Sequence, residues 1–501
     1  MSAKRKTNNR YERQLWDAVR VLCGHIPATE YRKVITGLAF LRYISAIFER
    51  KHQELAKRGD GSEDNRCAYE ADNAIFVPET ARWNVIANAA HTPEIGTVID
   101  DALRAIETEN KQLKNVLPKN FANPDLDKQV LGSVVDIFSG IPMEAAGPDQ
   151  DLPGRVYEYC IARFAEKEGS RGGEYYTPDS IVRTLISVMK PRSGCSIYDP
   201  CCGHGGMLIQ SAKYIASHSG DDRTVSFFGQ ETNADTWRMA KINMAIHGID
   251  ADLGLHPADT FTNDLHPTLQ ADYILANPPF NDRPWNQEKL SDDARWKYGL
   301  PPADNANFAW IQHIIHHLAP EGKIGMVLSD NALSSQRHGE SEIRKKIIQD
   351  DLIEGIVALP AALFNGMTMP VSLWFITKGK KQAGKTLFID ARRMGYMADR
   401  RHRDLTDEEI EKIADAFAAF QNGSFQEIRG FCAVASLRDI EKQDYILTPG
   451  RYVGTEKQSD TGEPFDQKMA RLTSELSDLL TQSHELEEEF RRKMQEIGYE
   501  I

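Results

Sequence analysis

The tetrapeptide Asn277-Pro278-Pro279-Phe280 has residue types that could act on an amino group. It follows the apolar run 272–276, which predicts a buried β-strand, and its prolines stiffen a loop at the strand's carboxyl end, where open α/β sheets bind ligands. The carbonyls of Asn277 and Pro278 could accept both hydrogens of an exocyclic NH2 and free its lone pair for attack on an electrophile. Phe280 offers a face on which a base taken out of a duplex can stack. An ordinary strand-ending turn is the alternative interpretation.

A glycine-rich turn upstream predicts a second part of a binding site. Residues 195–199 form a short strand that ends in Asp199, and Gly203-His204-Gly205-Gly206 precedes a helix that begins near Met207. Glycines let the backbone approach a ligand closely, but the turn lacks the GxGxxG order of a pyrophosphate site. The acid at the strand end therefore favours a cationic ligand. The neighbouring Cys201 and Cys202 are interpreted as packing residues.

Two further acids lie in loops at the same predicted rim. Glu231 ends a second strand over residues 225–231, where a carboxylate suits a bidentate grip on ribose hydroxyls. Asp259 lies in a third loop and suits an adenine amino group. Strand–helix alternation continues through 325–328, 353–359 and 372–377. The pattern predicts an α/β fold with a doubly wound, Rossmann-like sheet, and it stops near residue 380.

Two loops are candidates for ligand contact. In residues 170–179, Thr177 reads as an N-cap and Pro178 as the first residue of a helix over 179–188, so the segment is either a domain-entry loop or a ligand wall at a helix N-terminus. Residues 281–307 are polar and irregular, which is typical of a functional or mobile loop. We expect this second loop to be a substrate-side flap that a partner orders.

The patterns divide the chain into four predicted parts. Residues 1–165 form a helical N-terminal domain, 166–380 a catalytic domain, 381–460 a C-terminal extension and 461–501 a helix. The helix carries a heptad stripe with charged flanks, which favours packing against another subunit over packing on its own domain. The stripe comprises Phe465, Met469, Leu472, Leu476, Leu479, Leu486, Phe490, Met494 and Ile497.

Charge and cysteine usage limit the function classes. The net charge of −13 indicates that the chain alone binds duplex DNA poorly, so a local basic patch or another subunit must contact phosphates. The basic stretches Arg392-Arg393 and Arg400-Arg401-His402-Arg403 are either such a patch or a solvated surface. Seven scattered cysteines without CxxC argue against disulfides and zinc, so we expect no metal site and a reduced cytoplasm. No apolar run is long enough to span a membrane.

The order of these motifs resembles the gamma-ordered N6-adenine DNA methyltransferases, most closely the methylation (modification) subunit of type I restriction-modification systems. The stretches GGEYYTP, DPCCGHGGML and NPPF carry the resemblance, which covers nearly the whole chain. It implies S-adenosyl-L-methionine as methyl donor. It also implies DNA as substrate, a separate specificity subunit that chooses the sequence, a second copy of this chain, and a motor-nuclease restriction subunit that can join. The chain departs from the family pattern at Cys202, His204 and Asp179.

The resemblance also implies residue roles. Asp199 would meet the methionine part of the cofactor, Glu231 its ribose and Asp259 its adenine. Asn277, Pro278, Pro279 and Phe280 would hold the target adenine. The remaining cofactor-binding positions implied are Glu174, Tyr175, Tyr176, Thr177, Pro178, Asp179, Gly203, His204, Gly205 and Gly206.

Two other functions stay open from the residues alone. A solitary N6-adenine or N4-cytosine methyltransferase, or one acting on RNA or a protein amide, would use the same loop because each target is a planar NH2. A non-catalytic defence scaffold could keep the cofactor only as a sensor.

Overall fold

The computed structural model describes residues 17–18, 20–22, 28–70, 74–141, 177–219, 224–337, 339–364, 369–400, 402–455 and 465–496. Glu174, Tyr175 and Tyr176 of the entry loop lie outside these residues. The chain divides into two compact units, Met1–Val453 and Gly454–Ile501. None of the described helices is long and apolar enough to cross a membrane.

The N-terminal part is helical over its described residues. An apolar stripe on its longest described helix, α1 (Ala28–Ala56), is buried at Val34, Leu38 and Phe48. Tyr43 of the same helix donates a hydrogen bond to the carbonyl of Ile246 at 3.0 Å, which joins this part to the following α/β layers. The other helices here are α2 (Arg66–Glu70), α3 (Trp83–Asn88), α4 (Ile95–Glu109) and α5 (Lys128–Ser139), with short 3-10 turns at Ser62–Asp64, Glu79–Ala81 and Lys111–Leu113.

A nine-stranded mixed sheet forms the centre of the molecule, in the order β11-β8-β6-β7-β5-β4-β1-β2-β3. Strand β7 is antiparallel to both its neighbours, and β11 is antiparallel to β8, whereas the other pairs are parallel. The strands are β1 (Ser196–Asp199), β2 (Ser226–Gly229), β3 (Ala251–Asp252), β4 (Ala271–Ala276), β5 (Leu318–Ser329), β6 (Ile353–Ala358), β7 (Val371–Thr377), β8 (Lys385–Asp390) and β11 (Cys432–Ser436), and a separate ribbon pairs β9 (Tyr396–Met397) with β10 (Arg403–Asp404).

Helices cover both faces of the sheet because successive residues of each strand point to opposite sides. Ile197 and Leu275 pack into the core that includes α6 and α7, whereas Tyr198 and Ile274 pack into the core that includes α9 and α11. This confirms the predicted doubly wound α/β fold. The helices are α6 (Asp179–Met189), α7 (Gly206–Ser219), α8 (Ala234–Ile246), α9 (Asn307–His316), α10 (Asn331–Ser334), α11 (Glu340–Gln349), α12 (Asp407–Asn422) and α13 (Leu437–Glu441), with 3-10 turns at Gln287–Leu290 and Pro449–Arg451.

The expectation that the sheet pattern stops near residue 380 is wrong. Strands β8 and β11 continue the same sheet, with β8 pairing in parallel with β6 and antiparallel with β11. The basic segment before β8 is a turn in which Lys380 forms an ion pair with Asp351 and Lys378 donates to the carbonyl of Leu318. The domain boundaries at 165, 380 and 460 remain predictions.

The C-terminal unit contains the predicted long helix, α14 (Phe465–Glu496). Its apolar stripe is largely exposed: Leu479 is 61%, Leu486 66% and Phe490 55% accessible. Ile497, the last residue of the predicted stripe, lies outside the described residues. A helix of this length needs a partner to bury such a stripe. Its role between subunits remains a prediction.

Candidate active site

The first and fourth strands place their carboxyl ends side by side. They are parallel neighbours, with Tyr198 opposite Ile274, so that Asp199 at the end of β1 and Asn277 just after β4 share one rim. From β1 the chain proceeds outward to β2 and β3, whereas β4 and β5 lie on the other side. Ligands bind in open α/β sheets at this reversal of strand order. A cleft of about 560 Å³, including its open mouth, lies here.

Residues from three predicted segments meet in this cleft. The entry loop contributes Thr177 and Asp179, the strand end contributes Asp199, and the turn contributes glycines and a histidine. Asn277 lies in the same lining. The predicted residues that line this cleft are Thr177, Asp179, Asp199, Gly203, His204, Gly206 and Asn277. Among the described residues, the predicted Pro178, Gly205, Glu231, Asp259, Pro278, Pro279 and Phe280 do not line it.

The glycine-rich turn is held in place by helix α8. Gly205 adopts a φ of +83°, a backbone conformation that favours glycine, and a Cβ added there would lie 2.2 Å from Cε at the flexible end of Met244. Asn243, which is fully buried, donates from Nδ2 to the carbonyl of His204 at 2.9 Å. The sequence analysis missed Asn243 and Met244. A lone asparagine among the apolar residues of this helix was the only available signal.

The acid at the end of β1 is almost fully buried. Asp199 is 2% exposed, and its Oδ1 accepts a hydrogen bond from the amide of Cys201 at 3.1 Å. Burial, with a smaller contribution from the charge of Glu231, raises the pKa of Asp199 to about 7. A buried carboxyl group beside a second acid gains most from a cationic ligand, because such a ligand replaces the hydration that the charge has lost.

The other two predicted acids have structural hydrogen bonds. Glu231 accepts from the amide of Gly203 at 3.1 Å and from the amide of Asn233 at 2.8 Å, which ties the end of β2 to the glycine-rich turn. Asp259 accepts from the amides of Phe261 and Thr262 at 2.8 and 3.1 Å. Each carboxylate oxygen can accept further hydrogen bonds, so these contacts position the acids without using all their capacity.

Asn277 has a free acceptor in a fixed orientation. Its Nδ2 donates to Oγ1 of Thr177 at 2.9 Å. Its Oδ1 is buried and has no hydrogen-bond partner among the described residues. A buried unpaired carbonyl oxygen costs about 1–3 kcal/mol unless a ligand donor meets it. The arrangement is therefore prepared to accept an N–H group from outside the protein.

The same contact corrects the prediction for Thr177. Helix α6 begins at Asp179 with Pro178 as its N-cap, and no side chain caps it. The predicted Thr177 N-cap is wrong because the Thr177 hydroxyl is directed to Asn277, 100 positions along the chain. The threonine links the entry loop to the tetrapeptide instead of closing its own helix.

Phe280 is half-buried on the other side of the tetrapeptide. Its ring packs edge-on against Phe364, with centroids 5.8 Å apart and an interplanar angle of 86°. Such a T-shaped contact restricts the orientation of both rings. Phe364 is the last described residue before residues 365–368, which lie outside the described part.

Residues 281–307 pack on their own chain, so the expected dependence on a partner is wrong. Trp285 and Trp296 are 2% and 8% exposed and cluster with Phe261 and Trp310. Both indole N–H groups are paired, that of Trp285 with the carbonyl of Pro302 at 2.9 Å. Burial of two tryptophans with satisfied N–H groups is sufficient to order the segment.

A buried cluster of Asp264, His313 and His317 contains ligand types that metals use. Asp264 accepts from Nε2 of His317 at 3.0 Å. Although burial alone would raise the pKa of Asp264, this hydrogen bond and the nearby histidines lower it to about 2. Arg295 lies 3.1 Å from Nδ1 of His313. The guanidinium would repel a divalent cation, so we interpret the cluster as a hydrogen-bond network that supports the rim.

Both halves of the chain match known families. A model of the N-6 DNA methylase family matches residues 148–461, and a model of the HsdM N-terminal domain matches residues 11–138. The type I restriction enzyme HindI methylase subunit of Haemophilus influenzae is 43% identical over 447 residues, which cover 85% of this chain and 100% of that protein. The MjaIX methylase subunit of Methanocaldococcus jannaschii is 36% identical over 97% of this chain and 90% of that protein.

Solved structures agree with this assignment. The type I methyltransferase subunit from Streptococcus thermophilus superimposes with a TM-score of 0.75 at 25% identity, covering 89% of this chain and 99% of that one. A modification subunit from Vibrio vulnificus, at 16% identity and a TM-score of 0.63 over 86% of this chain and 93% of that one, shows the same fold. The chain belongs to the N-6 DNA methylase family and, within it, to the methylase subunits of type I restriction enzymes, which makes it an adenine-specific DNA methyltransferase subunit.

Proposed function

We propose that this chain methylates N6 of an adenine flipped out of duplex DNA, with S-adenosyl-L-methionine as cofactor. The observation that carries the proposal is the buried, unpaired Oδ1 of Asn277, which Thr177 orients at the rim of a cleft that contains a buried acid. S-adenosyl-L-methionine supplies an electrophilic methyl group. Its positive charge and its amino group fit the carboxylate of Asp199, which has no basic partner among its described contacts.

The remaining residues of the cleft would orient the two substrates. We assign Glu231 to the ribose hydroxyls and Asp259 to the adenine amino group of the cofactor, with Gly203 to Gly206 and the Glu174–Asp179 loop along its length. Asn277 Oδ1 and the Pro278 carbonyl accept the two hydrogens of the target N6, which concentrates its lone pair on the side of the methyl group. Phe280 stacks on the flipped base. Pro279 stiffens the loop. Orientation and charge placement account for most of the acceleration.

Cofactor binding is expected to depend on pH through Asp199. Because its pKa is about 7, the acid is mostly protonated at pH 6 and mostly charged at pH 8. Binding of a cation requires the charged form, so affinity rises with pH, and the Kd should fall roughly tenfold from pH 6 to pH 8. The cofactor Kd is measured by calorimetry of the purified chain between pH 6 and pH 8.

The matched variant is Asp199→Asn, which keeps the shape of the side chain and removes the titration. At pH 8 its Kd for the cofactor should be higher than that of the wild type, and it should stay nearly constant between pH 6 and pH 8. A wild-type Kd that does not change between pH 6 and pH 8 would contradict the assignment of Asp199 to the cationic part of the cofactor.

Partners complete the activity in this proposal. A specificity subunit selects the sequence, a second copy of the chain methylates the other strand, and a motor-nuclease restriction subunit can join. The net charge of −13 supports delegation of DNA contact. Arg392 of the basic stretch also supports it, because its guanidinium forms an ion pair with the carboxylate of Asp390 at 2.5 Å. The exposed stripe of α14 is a surface for such assembly. Free thiols at the five described cysteines support the proposed reducing cytoplasm.

The test is N6-methyladenine mapping in a host that lacks DNA methylation. The chain is expressed alone, and then with the specificity subunit encoded beside it. We expect methylation of a split two-part motif only with both proteins. Methylation by the chain alone would replace the proposal with a solitary enzyme that reads its own site. No methylation in either case would favour another amino substrate or the cofactor-sensing scaffold.

A further inference from the structure

The residue that follows Phe280 is held in an unfavourable backbone conformation. Asn281 has a φ of +55°, in the left-handed region that side chains other than glycine rarely adopt. Asparagine is among the residues that tolerate this region, but at a cost that neighbouring contacts must offset. Because such strain persists only where surrounding contacts hold the residue, its position beside the proposed base-stacking ring suggests a functional role for those contacts.

Two asparagines from the far end of the 281–307 segment provide those contacts. Asn307 accepts from the backbone amide of Asn281 through Oδ1 at 3.0 Å and donates from Nδ2 to Oδ1 of Asn281, also at 3.0 Å. Asn305 adds a second donor to the same oxygen at 3.2 Å. We call this set of three asparagines the amide clasp.

The clasp is buried and built into a helix start. Asn305 is 6% and Asn307 1% exposed, and Asn307 is the first residue of α9. The amide of Asn307 is itself fixed by Oδ1 of Asn305 at 2.9 Å, and Ala306 donates to the carbonyl of Asp282 at 3.1 Å. The two ends of the segment are therefore fastened together directly behind Phe280.

The other contacts of the segment make it a firm anchor. Between the two fastened ends, Trp285 and Trp296 are packed against Phe261 and Trp310, and Trp310 lies on α9. A displacement of Asn281 would have to break the clasp or move this cluster. The clasp thus transmits the rigidity of the helix and the aromatic cluster to the backbone on which the Pro278 carbonyl and the Phe280 ring depend.

We propose that Asn307 is a positioning residue for methyl transfer: through the amide clasp it fixes the backbone at Asn281, so that the Pro278 carbonyl and Phe280 meet the flipped adenine in register. This inference rests on the proposed function. Asn307 does not touch the substrate in this account. Loosening the clasp should affect the reaction of bound DNA more than the binding of DNA or cofactor.

The first test is Asn307→Asp, which keeps the acceptor for the backbone amide of Asn281 but replaces the Nδ2 donor with an oxygen that faces the side-chain Oδ1 of Asn281. The second is Asn281→Gly, which removes the strain and the side chain, so that the backbone is free to leave its position. We expect each to lower kcat about 10- to 100-fold, the range that a displacement near 1 Å can produce.

The matched control is Asn286→Asp. Asn286 lies in the same segment, has a similar φ of +60° and is exposed, so the same chemical change adds the same charge away from the clasp. Its kcat should remain within twofold of the wild type. This comparison separates loss of the clasp from the effect of an added negative charge near DNA.

The measurements use the full chain in complex with its specificity subunit and a duplex that carries the mapped site. They comprise kcat, KM for DNA, the cofactor Kd and the stoichiometry of cofactor binding. Each kcat is divided by this stoichiometry, so that a variant with a smaller folded fraction can still be compared with the wild type. A duplex with 2-aminopurine at the target position reports base flipping by fluorescence. We expect kcat to fall in both clasp variants while KM and Kd stay within about twofold.

Other outcomes overturn the inference. If Asn307→Asp and Asn281→Gly retain normal kcat, the clasp has no role in the reaction. If cofactor affinity falls as much as kcat, the clasp merely stabilises the fold. If the wild-type complex itself forms no N6-methyladenine, the proposed function fails and the inference fails with it. Failure of the inference alone looks different, because the wild-type complex is then active and the clasp variants are as active as the wild type.

Discussion

Replacing Asn277 with alanine should lower the kcat for methyl transfer by about 10²- to 10³-fold, the loss seen when one preorganised electrostatic group is removed. The reason is the buried, unpaired Oδ1 of Asn277, which is available to the amino group of the target. Cofactor affinity should change by less than about threefold, because Asn277 lies on the target side of the cleft in our assignment. Single-turnover transfer of a labelled methyl group and calorimetry measure the two effects separately.

The matched variant for this prediction is Thr177→Val. It preserves the shape of the side chain but removes the hydroxyl that accepts from Nδ2 of Asn277. Loss of one such hydrogen bond corresponds to about 0.5–1.5 kcal/mol, so kcat should fall roughly 2- to 13-fold, well short of the alanine variant. If Asn277→Ala weakens cofactor binding as much as it slows methyl transfer, Asn277 belongs to the cofactor site instead.

Replacing Phe280 with alanine should lower kcat/KM for DNA by roughly 5- to 150-fold, which corresponds to the 1–3 kcal/mol of a base stacked on an aromatic ring. The half-buried ring is held edge-on by Phe364, so its orientation is set before the base arrives. The loss should appear together with weaker 2-aminopurine fluorescence change on binding, since an unstacked base returns more readily to the duplex.

Phe280→Tyr is the control, because it keeps the aromatic face. It should retain activity within about threefold. Normal kcat/KM in Phe280→Ala, accompanied by a lower thermal midpoint, would show that the ring serves packing against Phe364 and does not stack on the base.

Local patterns were sufficient to predict the central strands and the rim. The runs before Asp199 and Asn277 are short, apolar and followed by turn residues, a pattern typical of buried parallel strands. The capping box at the start of α12 is a local feature of the same kind, since Thr406 and Glu409 satisfy each other's backbone amides within four residues. The long helix of the C-terminal unit was predicted by its heptad stripe alone.

Strands β8 and β11 were missed because their assignment depends on neighbours. Both are short, and what makes each a strand is its register with the adjacent strand: Ile389 lies opposite Val357 of β6 and opposite Cys432 of β11. A basic turn precedes β8, and nothing in the sequence shows that its Lys380 pairs with Asp351.

What the sequence by itself determined is the set of chemical groups at the rim and the family to which the chain belongs, because strand ends and turn residues are local properties. Only the tertiary structure decided how those groups are held. The Thr177 hydroxyl accepts a hydrogen bond from Asn277 instead of capping its own helix. Glu231 accepts from the Gly203 amide, and Asn307 donates to Asn281. The physical reason is that a polar side chain bonds to whichever group the fold brings within about 3 Å, and sequence distance does not encode that choice.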